Sequence, residues 1–323
     1  MRKALYPLKF KPILKEKIWG GTKLKTVLGK KTDLPNIGES WELSDIAGDV
    51  SVVSNGVLKN QSLKSLLDTY KADLIGVKNH KLFGGTFPLL IKFIDAKEAL
   101  SIQLHPNDKL AGERHNSFGK TEMWYVMQAD ADANLVVGFN QDMTLETYLK
   151  HLKANTLTDI LNYDKVTSGD SYFIEAGRLH AIGAGVLLAE IQQTSNITYR
   201  VYDWDRIDDD GNVRELHNDL AVEAFDFEMR DNFRIDYQKV ENNSNEMVSC
   251  PFFTTNFIHV TGEVLKHNYK DSFFIYMCVE GVAVIETNTT IEHLKKGETL
   301  LMPAAIETYK ITSTNATLLE VYV

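Results

Sequence analysis

Short runs of apolar residues, separated by turn-forming residues, dominate the pattern along the chain. The clearest runs lie at residues 87–94, 123–127, 134–139 and 185–191. They are rich in aliphatic, β-branched and aromatic side chains, which favour strands over helices. Strands at short spacing with few helices between them predict an all-β dominated fold, either a sandwich or a barrel.

Two stretches have apolar positions at helical spacing instead. Residues 62–70 place three leucines on one stripe, and residues 144–161 repeat leucine and isoleucine near a period of 3.6. Thr144 precedes the second stretch and is a residue type that caps helix N-termini. We therefore expect a small helical insertion at about 144–161.

The chain also repeats itself weakly. Residues 169–180 and 297–308 both read as a glycine turn, an apolar strand and a second turn of small residues. The first copy ends in His180 and the second in Thr308. A duplicated β-barrel with one metal-binding copy and one silent copy explains this pattern. Chance similarity stays open, because such units are common in all-β chains.

Composition narrows the class of protein. The 323 residues carry a formal net charge of −9, so the chain has no long-range attraction for nucleic acid or for anionic membranes. Its two cysteines provide neither a disulfide framework nor a cysteine-rich zinc site. We find no signal-peptide pattern and no run near the roughly 18 apolar residues of a membrane span. The expectation is a soluble, cytoplasmic protein.

Two histidines, a glutamate and a glutamine form the most informative pattern. Gln103 and His105 share a face if their segment is a strand, because side chains alternate with period two. Glu122 leads the next β-like run, and His180 follows a short predicted strand. Two imidazoles, a carboxylate and an amide oxygen suit a borderline divalent cation. The remaining histidines are expected to be surface or core residues: His80, His115, His151, His217, His259, His267 and His293.

The order of these residues resembles the two motifs of the cupin superfamily. Residues 169–180 resemble the second motif, with Glu175 where the motif usually has proline. The first motif is matched by a variant with glutamine in place of its first histidine and a longer gap before the glutamate. This variant resembles the type I mannose-6-phosphate isomerases (phosphomannose isomerases), in their short bacterial form. Further segments resemble the same family at residues 17–21, 38–44, 87–105 and 197–204.

The resemblance implies two cupin-type β-barrels of the jelly-roll kind and one Zn²⁺ per chain. It implies the reversible interconversion of mannose 6-phosphate and fructose 6-phosphate by proton transfer through an enediol. A small-molecule sugar phosphate would be the binding partner. Carried over by position, the zinc ligands would be Gln103, His105, Glu122 and His180.

A polar stretch at 241–245 predicts a linker. Together with the repeat, it predicts a catalytic metal-binding cupin domain over residues 1–240 and a degenerate cupin domain over 241–323. A lid and a dimer surface are both open as roles for the second domain, and the sequence leaves the oligomeric state open.

Arg200 and Lys120 match the family's active-site arginine and the lysine two positions before its ligand glutamate. A divalent cation nearby would disfavour the ammonium form of Lys120, so we interpret this residue as a candidate acid/base. It could instead only contact substrate oxygens. Arg200 could stabilise the enediolate or bind phosphate, or form a structural ion pair with Asp203, Asp205 or Asp208.

Asn196 departs from the family pattern, which often has an aspartate four positions before the arginine. An amide cannot take a proton at neutral pH, so an aspartate-based mechanism is not expected here. Asn196 favours one alternative, a catalytically silent sugar-phosphate-binding cupin. Another alternative is a different metal-dependent cupin enzyme, such as a non-haem iron oxygenase, which a fourth protein ligand at Gln103 disfavours. Weaker phosphate candidates are Lys92, Arg178 and Arg206.

Overall fold

The computed structural model describes residues 2–207, 211–230 and 232–323, and strands dominate it. Its strand pairs are antiparallel. In chain order the strands are β1 (Ile13–Gly21), β2 (Ile37–Leu43), β3 (Asp45–Ile46), β4 (Asp49–Val50), β5 (Leu89–Ala96), β6 (Ile102–Leu104), β7 (Glu122–Ala129), β8 (Asn134–Phe139), β9 (Leu161–Lys165), β10 (Ser171–Ile174), β11 (His180–Ile182), β12 (Val186–Gln193), β13 (Tyr199–Tyr202), β14 (Asn245–Ser249), β15 (Thr254–Val260), β16 (Glu263–His267), β17 (Phe274–Thr287), β18 (Ile291–Lys295), β19 (Thr299–Met302), β20 (Thr308–Thr312) and β21 (Ala316–Tyr322).

The helices are short. In the described part of the chain they are α1 (Lys23–Thr26), α2 (Leu63–Tyr70), α3 (Ala72–Ile75), α4 (Val77–Phe83), α5 (Asp108–His115), α6 (Leu145–Lys153), α7 (Asn218–Ala221) and a 3-10 helix at Leu157–Ile160. Within these same residues, no helix has the length and apolar character needed to cross a membrane. The expectation of a β-dominated fold with few helices is therefore confirmed.

The predicted helical insertion is shorter than its sequence pattern suggests. Thr144 caps α6, and its side-chain oxygen accepts the amide hydrogen of Thr147. A single helix over 144–161 is nevertheless wrong. Asn155 has a left-handed backbone conformation, with φ of 56°, which ends the helical path soon after α6. The following leucine and isoleucine positions lie in the 3-10 helix, where they are still buried.

Two sheets build the N-terminal half and enclose an apolar core. The six-stranded sheet has the order β1-β2-β5-β12-β7-β10, and the five-stranded sheet has the order β13-β6-β11-β8-β9. Side chains of both sheets pack in one cluster, for example Trp124 and Leu188 of the first with Leu135 and Ile182 of the second. Side chains that point between the sheets are therefore screened from solvent, and this region is where the predicted site residues lie.

The C-terminal half is a separate eight-stranded sheet with its own core. Its main order is β14-β15-β21-β17-β20-β16, and the long strand β17 also pairs with β18 and β19. One carboxylate is buried in it. Glu320 forms an ion pair with Lys266 at 2.5 Å and accepts a hydrogen bond from the Tyr276 hydroxyl at 2.7 Å. Among the described residues this half contains no cluster of histidine, cysteine or carboxylate side chains close enough to hold a metal ion.

The internal repeat has a structural counterpart. Gly169 and Gly297 both have positive φ, at 93° and 82°, and each precedes a short strand, β10 or β19. The next strand begins at His180 in the first copy and at Thr308 in the second. The two copies therefore share one succession of turn and strand, with the histidine in only one of them.

The polar stretch at 241–245 is a turn that is held by hydrogen bonds. The side-chain Nδ2 of Asn245 donates to the carbonyl oxygens of Val240 and Phe257, at 2.9 and 3.2 Å, and Asn245 is the first residue of β14. The expectation that these residues avoid strand structure is thus wrong at the last one. The domain boundary between residues 240 and 241 stays a prediction.

One apolar cluster joins the two halves. It contains Met123 and Leu187 of the N-terminal half together with Phe257 and Leu319 of the C-terminal half. Leu8, near the start of the chain, exchanges two backbone hydrogen bonds of 2.8 Å with Leu301. The halves therefore share a core, and loosening one should weaken the other.

This shared core predicts a large effect for Leu319→Ala. Leu319 is 0% exposed, and a buried leucine-to-alanine change costs about 2–5 kcal/mol through lost burial and the remaining cavity. We expect a lower midpoint of denaturant unfolding, measured by circular dichroism. The control is Leu265→Ala in β16, where the side chain is 76% exposed and the midpoint should hardly move. Equal midpoints for both variants would contradict the shared-core description.

Candidate active site

A polar cavity of about 470 Å³ opens between the two N-terminal sheets. The six-stranded sheet contributes a row of cross-strand neighbours to its wall. Trp41 pairs with Lys92, Lys92 with Glu190, and Glu190 with Trp124, across β2, β5, β12 and β7. Because directly paired residues point to the same face, this row presents two rings and two opposite charges to the cavity.

The five-stranded sheet contributes a second row. Gln103 in β6 lies between Arg200 in β13 and His180 in β11 as a direct cross-strand neighbour of both. Gln103 and Arg200 line the cavity. Residues far apart in sequence thus become adjacent because their strands pair at these positions.

His105, Glu122 and His180 meet at the buried end of this arrangement. His105 Nε2 lies 3.6 Å from Glu122 Oε2, and His180 Nε2 lies 3.5 Å from Glu122 Oε1. One potential ligand atom from each residue falls within 4.8 Å of the other two. The structure therefore brings together three of the four predicted ligands.

Both imidazoles are oriented through their other ring nitrogen. His105 Nδ1 donates to the Ile197 carbonyl at 2.9 Å, and His180 Nδ1 donates to the Arg178 carbonyl at 2.8 Å. A carbonyl oxygen only accepts, so the proton lies on Nδ1 and Nε2 carries the lone pair that a cation could use. Burial lowers the pKa of His105 well below its usual value and lowers the pKa of His180 to about 3. Both rings are neutral, as metal ligation requires.

The loop that carries the His180 motif is held against the loop of His105. The Gly177 amide donates to the His105 carbonyl at 2.8 Å. Gly177 has a positive φ of 88°, and a Cβ there would lie 2.4 Å from the Ala224 carbonyl oxygen. Glycine is required because both the backbone conformation and the close approach exclude a side chain.

Glu122 supplies the negative charge of the cluster. It is 0% exposed, and burial raises its pKa to about 7, although Lys120 opposes this rise. Neither carboxylate oxygen accepts a well-aligned hydrogen bond from the described residues. A divalent cation would favour the ionised form and satisfy these oxygens. The three residues therefore fit a metal ion.

Gln103 fits the ion only after a rotation of its amide. As placed, its nitrogen lies 3.5 Å from His180 Nε2, and its oxygen lies 3.4 Å from the Ser101 hydroxyl. A half turn about the last side-chain bond exchanges the two atoms and presents the oxygen to the cluster. Its position in the row agrees with the predicted ligand set.

Lys120 reaches the cluster from a loop rather than from strand β7. Strand β7 begins at Glu122, so Lys120 lies in the preceding loop, where its amide donates to the Pro106 carbonyl at 3.1 Å. Its Nζ lies 3.0 Å from both His105 Nε2 and Glu122 Oε2. A buried ammonium group thus lies against two of the predicted ligands.

Arg200 projects from β13 with no carboxylate within 4.0 Å among the described residues. Its Nε donates to the Ser101 hydroxyl at 3.3 Å, and its Nη1 donates to the Glu215 carbonyl at 2.8 Å. Both acceptors are neutral. The guanidinium therefore keeps its full charge beside the cavity.

Asp203 and Asp205, two of the carboxylates that could have paired with Arg200, have other partners. Asp203 binds Arg214 instead, through two hydrogen bonds of which one is 2.7 Å long. Asp205 accepts a hydrogen bond from the Tyr202 hydroxyl at 3.0 Å. Asp208 lies outside the described residues.

The cavity is locally basic although the chain is acidic. Three cations of its wall are paired with acids that also line it: Lys15 with Asp49, Lys17 with Glu39 and Lys92 with Glu190. Of the three further cations in the wall, Lys120 and Arg214 pair with Glu122 and Asp203, which do not line the cavity. Arg200 has no carboxylate within 4.0 Å among the described residues. The excess of positive charge favours an anionic ligand.

The three weaker phosphate candidates have different positions. Lys92 lines the cavity. Arg178 is fully buried and forms an ion pair with Asp226 at 2.6 Å, so it supports the fold. Arg206 donates to the Ala99 carbonyl at 2.6 Å.

Sequence reasoning missed several residues of the wall. Lys15 and Lys17 alternate on β1, and Glu39 lies on the neighbouring β2. Alternating lysines before Trp19 were a signal in the sequence, but only strand pairing shows which face they occupy. Three of the four tryptophans also line the cavity: Trp19, Trp41 and Trp124.

Two known protein families match parts of this chain. Residues 7–146 match the family described as "Phosphomannose isomerase type I, catalytic domain", and residues 243–323 match "Mannose-6-phosphate isomerase, cupin domain". The chain is 33% identical to mannose-6-phosphate isomerase ManA of Bacillus subtilis over 94% of this chain and 95% of that protein. It is 32% identical to mannose-6-phosphate isomerase of Streptococcus mutans over 94% of both chains.

A solved structure agrees with these sequence comparisons. The crystal structure of mannose 6-phosphate isomerase from Bacillus subtilis superposes with a TM-score of 0.89 at 31% identity, over 99% of this chain and 100% of that one. The paired sheets and the histidine–glutamate cluster define an isomerase of the cupin class that could hold a metal ion. Within this class, the chain belongs to the type I phosphomannose isomerase family.

The buried charges of the wall predict a stability effect for Lys92→Met. The ammonium of Lys92 lies 2.8 Å from Glu190, and both side chains are buried, so removing the cation leaves a carboxylate uncompensated. We expect a loss of about 3–5 kcal/mol in the free energy of unfolding, from urea titration. Lys165→Met breaks the exposed pair with Asp132 and should change little. A stable Lys92→Met variant would argue against this charge balance.

Proposed function

We propose that the protein interconverts mannose 6-phosphate and fructose 6-phosphate. The observation that carries this proposal is the His105, Glu122 and His180 cluster at the end of a basic cavity, in a chain of the type I phosphomannose isomerase family. An anionic sugar fits the excess of positive charge in the wall, and aromatic rings there suit the apolar faces of a sugar.

Zn²⁺ is the proposed cofactor, one ion per chain. His105, Glu122, His180 and the rotated amide of Gln103 would hold it, a set of nitrogen and oxygen donors that suits zinc. When bound, the ion would act as a Lewis acid for the substrate oxygens at C1 and C2. Proton transfer and the stabilisation of the oxyanion are assigned to side chains of the protein.

Lys120 is the proposed acid/base. Isomerisation removes a proton from C2 of the open-chain aldose and delivers a proton to C1, while the hydroxyl proton moves from the C2 oxygen to the C1 oxygen. A neutral Lys120 amine would accept the C2 proton and return it to C1 through the enediol. Its Nζ lies beside two of the proposed ligands, in a site where burial excludes water.

Arg200 would stabilise the negative charge of the enediolate or bind the phosphate. Its guanidinium has neutral hydrogen-bond acceptors, so its charge is available to an oxyanion. Asn196 lines the same cavity as an exposed amide, which cannot exchange a proton. Proton transfer is therefore assigned to Lys120 rather than to position 196. The cytoplasm stays the expected compartment for this reaction.

The first test is a coupled assay of the purified protein with mannose 6-phosphate. We expect turnover that is lost on chelation and restored by zinc, because the cluster would no longer organise the substrate. Metal content, measured by atomic spectroscopy, should fall and recover in parallel.

The outcomes of this assay separate the alternatives. Absence of turnover in folded, fully zinc-loaded protein would refute the isomerase proposal and leave the silent sugar-phosphate-binding cupin. Activity that depends on iron and consumes oxygen would instead identify another metal-dependent cupin enzyme.

Lys120→Met tests the acid/base assignment directly. We expect kcat to fall by about 100-fold or more, since general acid/base catalysis contributes roughly 10²–10⁴-fold. The zinc content should remain near one ion per chain, because the proposed ligands are unchanged. Lys165→Met, a surface change far from the cavity, should leave kcat unaltered. A kcat near the normal value in Lys120→Met would remove this residue from the mechanism.

A further inference from the structure

A short segment, residues 214–217, lies across strand β13 and meets Arg200 at three points. The His217 amide donates to the Arg200 carbonyl at 2.7 Å, and the Arg200 amide donates to His217 Nδ1 at 3.2 Å. The third contact is the hydrogen bond from Arg200 Nη1 to the Glu215 carbonyl. We call this segment the clamp. It binds both the backbone and the guanidinium of one residue.

The clamp is also anchored at Asp203, the residue that directly follows β13. Arg214 makes its paired hydrogen bonds to Asp203, whose side chain is almost fully buried. A planar guanidinium that holds a carboxylate through two bonds fixes direction as well as distance. The Glu215 carbonyl is therefore presented to Arg200 in a defined orientation.

The contact at His217 Nδ1 fixes the form of the ring. A backbone N–H can only donate, so Nδ1 must carry a lone pair and the ring is neutral with its proton on Nε2. The groups that face the ring are Arg200 and Tyr199 on β13, Glu215 in the clamp and His115 on α5. Burial and the Arg200 charge lower the pKa of His217, which agrees with the neutral ring.

We infer that His217 is a positioning residue for Arg200. Its Nδ1 replaces the strand partner that β13 lacks at the edge of its sheet, and so fixes the backbone from which the guanidinium projects. The clamp then holds the guanidinium through the Glu215 carbonyl. This inference rests on the proposed role of Arg200 in the isomerase.

Strand β13 needs this support because it lies at the edge of its sheet. β13 has four residues and pairs only with the three-residue β6 among the described strands. Without the clamp, its outer backbone groups would bond to water. A displacement of about 1 Å in a group that stabilises charge costs up to 100-fold in rate. The hydrogen bonds between the clamp and β13 are therefore expected to affect the rate of the reaction, although the strand is short.

The test compares His217→Ala with His217→Asn, whose side-chain oxygen lies where Nδ1 does and still accepts the Arg200 amide hydrogen. We expect kcat/KM for mannose 6-phosphate to fall about 10-fold in His217→Ala and to stay within about threefold of normal in His217→Asn. In an Arg200→Lys background, His217→Ala should cost little more. Leu216→Ala, an exposed neighbour in the clamp, is the control.

A second readout needs no activity. Hydrogen exchange of the Arg200 amide, followed by mass spectrometry, should be about 10-fold faster or more in His217→Ala and near normal in His217→Asn. Zinc content should be the same in both. If His217→Ala does not fold, His217→Gln replaces it, because its longer side chain places the amide at the position of Nε2 instead.

The outcomes are distinct. A wild-type protein without turnover refutes the proposed function, and the exchange rates then decide the inference alone. An active wild type with unchanged rates and exchange in His217→Ala overturns the inference. Equal losses in the alanine and asparagine variants also overturn it, because they would mean that the ring acts through packing rather than through its acceptor nitrogen.

Discussion

The burial of two carboxylates side by side is the constraint on which the site depends. Glu122 and Glu190 lie on neighbouring strands of one sheet and are both removed from solvent. Burial raises the pKa of each, but Lys92 and Lys120 lie near them and lower the pKa of Glu190 to about 2. The pKa of Glu122 stays at about 7. Glu190 is thus balanced by Lys92 at 2.8 Å. Glu122 has Lys120 at 3.0 Å, and together with the two imidazoles it could also hold a metal ion.

Much of the fold and of the histidine–glutamate cluster could be predicted because both depend on local signals. Apolar runs separated by turns located β5, β7, β8 and β12 within two residues. The turn at Gly169 and the strand after it set the direction of the chain before His180. Period-two alternation put Gln103 and His105 on one face, although β6 ends at Leu104. The full ligand set was implied by the resemblance to the family. These signals persist because each depends on backbone conformation over only a few residues.

The remaining features depend on contacts between distant segments, which a single sequence does not contain. Lys120 matched the family's lysine two positions before the ligand glutamate, but only the structure shows that its Nζ reaches the cluster from a loop. His217 was expected to be an ordinary surface or core residue, and only the pairing of β13 shows its bond to Arg200. Asn155 gave a local signal for ending a helix that the leucine pattern outweighed. Three lysines of the cavity wall likewise lie on two separate strands, β1 and β5. The sequence does not show that these strands belong to one sheet.

The pairing of Leu8 with Leu301 has a consequence for biosynthesis. At roughly 5–20 residues per second, a ribosome needs tens of seconds to translate these 323 residues. During that time the apolar side chains that pack against Phe257 and Leu319 in the folded protein remain exposed to solvent. The nascent chain is therefore exposed to aggregation until its final strand emerges, so its yield in the cell should depend on chaperones more than that of a chain whose halves fold independently.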